Sequence, residues 1–142
     1  MIGGFMKQVD ELIRGERAAV QSINKVLDKI HNDSERRELD AIRQDHIFAV
    51  DKLKRFASSD FSEEMLSSGA WGSLAKVFTT GASLFGDKAT LQALKVGEDH
   101  GLNEYLQAVE SPGLNSELKI IIERELLPNQ KKHIRTIEGY LH

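Results

Sequence analysis

Four places in this sequence put polar groups where an amphipathic helix should be apolar: Glu16, His46, Glu98 and the pair Gln130/His133. Two carboxylates and two imidazoles form a donor set suited to one divalent metal ion such as zinc, iron or manganese. A carboxylate alone on an oily face is costly to bury unless something pairs with it. Glu98 is the sharpest case, because it interrupts the stripe Leu91, Leu94, Gly101 or Leu102, Tyr105, Val109. Gln130 and His133 are three apart, so both can point the same way from one helix.

Each interruption lies near the middle of a segment with helical periodicity. Helix 1 is expected from about Phe5 to His31, with the stripe Val9, Leu12/Ile13, Ala19/Val20, Ile23, Val26/Leu27, Ile30 broken at Glu16. Asn32-Asp33-Ser34 forms a turn, with Ser34 or Asp33 capping the next helix. Helix 2 follows from about Glu35 to Ala57, with Leu39, Ile42, Ala49/Val50, Leu53 and Phe56 inward and His46 in the missing place. Asp45 is beside His46 in sequence but turned about 100° away around the helix. Arg36, Asp40, Asp51 and Lys54 read as the solvated face.

Helix 3 is expected from about Lys88 to Glu110, capped by Asp87 and stopped by Ser111-Pro112-Gly113. Helix 4 runs from Asn115 or Ser116 to about Leu141. Its stripe is Ile120, Glu123, Leu126/Leu127, Gln130, His133/Ile134, Ile137, Leu141, and Pro128 kinks it. Between helices 2 and 3, a short amphipathic helix over Trp71–Phe85 is expected to lie across the bundle. Its exposed apolar residues would suit a homodimer face.

The chain has 142 residues, enough for one domain with a proper core. With two prolines, no period-two alternation and long helical stretches, the expected class is all-α. A formal net charge of −3 gives no reason to expect nucleic acid as a partner. The cluster Lys131, Lys132, Arg135 reads as cations toward a helix C-terminus. There are no cysteines, which excludes disulfides, thiolate metal sites and cysteine nucleophiles. The start, MIGGFMKQVDEL, lacks the basic front and apolar run of a signal peptide, and no segment is apolar enough to span a bilayer. The expected location is the cytoplasm. No nucleophile elbow or glycine-rich phosphate loop supports a hydrolase or a nucleotide-binding protein. His31, His100 and His142 read as solvated, and Gly97 and Gly101 as sites of close helix packing.

Short links within the pairs 1–2 and 3–4, with a long link from 2 to 3, match the one-crossover arrangement of ferritin-like bundles. With Glu16, His46, Glu98 and His133 in that helix order, the chain resembles the ferritin-like di-metal carboxylate proteins. VGEDHGLNEYLQAV followed by QKKHIRTI is also similar to a bacterial ferritin-like family catalogued as a domain of unknown function. The resemblance implies a ferritin-like four-helix bundle over 1–142. The enzymes of that group have Glu three residues before each His, where this chain has Arg43 and Gln130. Two irons held as in ferritin or rubrerythrin are therefore not expected.

Two readings follow. In one, Glu16, His46, Glu98 and His133 hold a single metal, with Gln130 orienting a ligand or water; oxidase, peroxidase-like or storage activity would follow by analogy. In the other, no metal is bound. Arg43 reaches in to pair with Glu16 or Glu98, and His46, His133 and Gln130 complete a polar network that fixes helix register. The protein would then be a structural or interaction module associated with stress.

Overall fold

The computed structural model describes residues 2–57 and 87–141, with side chains described outside 2–7 and 87. The expected Trp71–Phe85 helix lies outside them. All described elements are helical. α1 spans Ile2–Leu27, α2 Asp33–Lys54 and α3 Asp87–Glu110. A fourth rod is built from α4 (Ser116–Ile121), a π-helical turn (Ile122–Leu126) and α5 (Leu127–Leu141). No described helix is long and apolar enough to cross a membrane.

Local chemistry sets the boundaries. α1 ends at Leu27 rather than His31, because the Arg36 guanidinium takes the carbonyls of Leu27 and Ile30 (3.1 Å to Ile30) and closes the turn. The cap of α2 is Asn32, not Asp33 or Ser34: its side chain accepts from the Glu35 N–H at 3.0 Å. Asn115 caps α4 in the same way, accepting from Glu117 and Leu118. Pro128 has no N–H to give, and its ring would crowd the carbonyl four residues back. The rod passes it without a break by widening into the π turn, where the Leu127 N–H bonds the Ile122 carbonyl.

That turn also corrects the expected stripe. The buried residues are Leu118, Ile122, Leu126 and Gln130, all four apart, while Ile120 is half exposed and Glu123 is exposed. A spacing of four drifts by about 40° per step on a regular α-helix, and one wide turn takes up the drift.

The core has two apolar ends. One joins Ala19, Ile23 and Val26 of α1 to Leu39 and Ile42 of α2, Leu91 and Leu94 of α3, and Ile137 of α5. The other joins Val9, Leu12 and Ile13 to Ala49, Val50 and Leu53, then Tyr105 and Ala108, then Leu118, Ile122 and Leu126. Residue order through these ends fixes direction: α1 is antiparallel to α2, α3 is antiparallel to the fourth rod, and α2 and α3 run the same way. α1 packs on both α2 and α3, α3 packs on α5, and α2 touches α5. Between the two apolar ends lies one polar layer, made of Glu16, His46, Glu98, Gln130 and His133, all buried.

Candidate metal centre

The polar layer takes one residue from each of α1, α2 and α3 and two from α5. Glu16 sits one turn from both Leu12/Ile13 and Ala19 on α1, and His46 sits between Ile42 and Ala49 on α2. Each shares the face that its apolar neighbours pull inward. Glu98 follows Leu94 on α3, and Gln130 and His133 fall between Leu126 and Ile137.

His46 is the hub. Its Nδ1 lies 2.5 Å from Glu16 Oε2 and its Nε2 lies 2.7 Å from Glu98 Oε1. Carboxylates only accept, so both ring nitrogens carry hydrogen in this arrangement and His46 is an imidazolium. Burial alone would lower its pKa, but Glu98 and Glu16 outweigh burial and hold it well above the usual value. Glu98 is the reciprocal case. Burial opposes its charge, yet His46 and His133 prevail and bring it down to about 2.

The remaining oxygens are also held. Tyr105 donates its hydroxyl to Glu16 Oε1 at 2.5 Å. Its own pKa is pushed up by burial and by the neighbouring carboxylates, so it remains a donor. Gln130 Nε2 donates to Glu98 Oε2 at 2.5 Å and to the Glu98 carbonyl at 2.8 Å. Gly101 makes this reach available: a Cβ there would stand 2.9 Å from Gln130 Nε2.

His133 is oriented from outside. Its Nε2 contacts Asp45 Oδ2 at 2.9 Å, and the Asp45 side chain is 40 % exposed. Its Nδ1 is buried, has no hydrogen-bond partner among the described residues and stands 3.8 Å from Glu98 Oε2. The rings of His46 and His133 are 4.8 Å apart, tilted by 58°.

Both imidazoles thus follow one rule. One nitrogen is held by a carboxylate, Glu16 for His46 and Asp45 for His133, and the other faces Glu98. That is how outer carboxylates orient metal-ligating histidines. One donor atom from each of His46, Glu98 and His133 lies within 4.8 Å of the others. Ligands on one zinc-sized ion stand roughly 3–3.5 Å apart, so small side-chain shifts would seat one.

The residues singled out from sequence divide as follows. Glu16, His46, Glu98, Gln130 and His133 meet in the polar layer, but Glu16 lies on the far side of His46 from Glu98 and backs the ring. Arg43, expected to reach inward, does not enter. It pairs with Asp40 at 2.7 Å and with Asn24 at 3.1 Å on a partly exposed face. A flexible guanidinium three residues from His46 has water and an acid one turn back, and avoids the cost of desolvation. Asp45 and Tyr105 were missed. Tyr105 read as apolar, although its place two turns after Glu98 aims its hydroxyl at the same layer. Asp45 read as turned away, and that offset is what directs it to α5. Comparisons of the chain with protein-family models, curated proteins and solved structures gave no match.

Proposed function

We propose that this protein binds one divalent transition-metal ion through His46 Nε2, Glu98 and His133 Nδ1. The observation that carries the reading is the buried, partnerless His133 Nδ1 facing a Glu98 carboxylate while Asp45 holds the opposite nitrogen. With Asp45 against Nε2, His133 would turn its Nδ1 lone pair toward a bound ion, and Glu98 offers another. Two electron-pair donors facing one gap call for a cation. Two imidazoles and one carboxylate suit zinc or ferrous iron with coordination positions left open. A metal so held would supply Lewis-acid or redox chemistry. Glu16 and Asp45 fix the rings, Gln130 fixes Glu98, and the apolar ends exclude water. The parallel course of α2 and α3 supports a ferritin-like ancestry, with the second metal position given up to Gln130 and to the outward-turned Arg43.

A second reading rests on the direct His46–Glu98 contact of 2.7 Å. There the proton on Nε2 takes the place of the cation, and the Glu16–His46–Glu98 triad is a metal-free device for helix register.

Equilibrium dialysis against zinc and ferrous iron, followed by elemental analysis, separates the two. The metal reading expects one equivalent in the native protein and loss of binding in Glu98→Ala and His133→Ala. No bound metal at micromolar concentrations overturns it in favour of the register device.

A further inference from the structure

A small hollow opens between α1 and α3 beside the polar layer. It is lined by Gly15, Glu16, Gly101, Glu104, Tyr105 and Gln130 among others, and its volume is about 10 Å³, on the order of one water. Two helix positions without side chains make the space. Glu104 stands at its mouth, partly buried, with Oε1 only 3.0 Å from where a Cβ on Gly15 would be.

We propose that Glu104 is a gate over this hollow: its uncharged carboxyl folds in against Gly15 and closes the way to Glu16 and Tyr105, and its charged form swings out and admits water. The groups around it set the direction of movement. From α1 it faces Glu11 and Glu16, which repel a carboxylate. Tyr105 from α3, His46 from α2 and the neutral Gln130 line the hollow behind it. On the outer side His100 Nε2 is 3.4 Å from Oε1, with its side chain 43 % exposed. A charge on Glu104 is thus pushed away from α1. Burial first, then Glu11 and Glu16, raise its pKa to about 7, so the gate would work near neutrality.

The Tyr105 hydroxyl proton, held by Glu16, reports water entry without any metal, so this test and the zinc experiment fail independently. Its exchange with solvent is read by proton NMR at about pH 6 and about pH 8, either side of that midpoint. Glu104→Gln, which mimics the closed form, is expected to slow exchange roughly tenfold at the higher pH, since water then enters only through local opening. Glu104→Ala should exchange fast at both. Carboxyl-carbon titration of the native protein needs no variant and should place the Glu104 midpoint near 7. A midpoint near the ordinary 4.5, or matching rates for native protein and Glu104→Gln at the higher pH, overturns the gate.

Discussion

The ring of His46 spans two carboxylates from different helices, with Glu16 Oε2 2.5 Å from Nδ1 and Glu98 Oε1 2.7 Å from Nε2. Three helices are pinned at one height by a single side chain. Removing that ring leaves two acids in an apolar layer, and breaking a buried ion pair from one side costs about 3–5 kcal/mol. His46→Leu is expected to lower stability by that amount in urea unfolding at neutral pH. A loss below about 1 kcal/mol, the usual worth of an exposed pair, would show that the triad is not ionised.

The same contact sets the acid limit of stability. Glu98 is at about 2 in the folded chain against an ordinary 4.5, so the unfolded chain binds the extra proton between these values. Its contribution is complete above pH 4.5 and disappears as pH falls toward 2, about 3 kcal/mol in all. His46 is shifted the other way, so its contribution is complete below 6.5 and is lost as pH rises through its higher folded value. These are two views of one ion pair and do not add. Thermal unfolding across pH should show the acid loss, and Glu98→Gln should flatten it.

Gly101 is needed for the reach of Gln130. Gly101→Ala puts a methyl 2.9 Å from Gln130 Nε2, and the amide end must swing away. The buried Glu98 Oε2 then loses its Gln130 donor, at a cost of about 1–3 kcal/mol. The variant Gln130→Leu should destabilise by a similar amount, and adding Gly101→Ala to it should cost little more. Additive losses, measured by chemical denaturation, would separate Gly101 from Glu98.

Arg43 supplies the opposite expectation. Its partner Asp40 is 48 % exposed, and such pairs contribute about 0–1 kcal/mol. Arg43→Leu should therefore leave the melting temperature within a few degrees of native and leave metal binding unchanged. A large loss would return Arg43 to the buried layer.

How far the sequence carried the architecture can be seen in individual residues. Val9, Ile13, Ile23 and Leu39 recur at helical spacing, so the helices and their buried faces were legible, as were the breaks at Glu16, His46, Glu98, Gln130 and His133. Periodicity gives the face of a residue but not the end of its side chain. Arg43 is near His46 in phase, yet its long side chain takes Asp40 and Asn24. Tyr105 has an apolar body and a polar tip, and only the tip matters to Glu16. The misplaced stripe at Ile120 and Glu123 has another cause: a π turn ahead of Pro128 shifts the phase, and a regular 3.6-residue count has no place for it.

In the proposed metal site, His46 and His133 share one ion with Glu98. Nitrogen-15 NMR of the imidazoles during a zinc titration reads each ring separately. His46 and His133 should shift together and saturate at one equivalent, with zinc on Nε2 of the first and Nδ1 of the second, while His31, His100 and His142 stay unchanged. Shifts confined to those three histidines, with His46 still protonated on both nitrogens between Glu16 and Glu98, would contradict it.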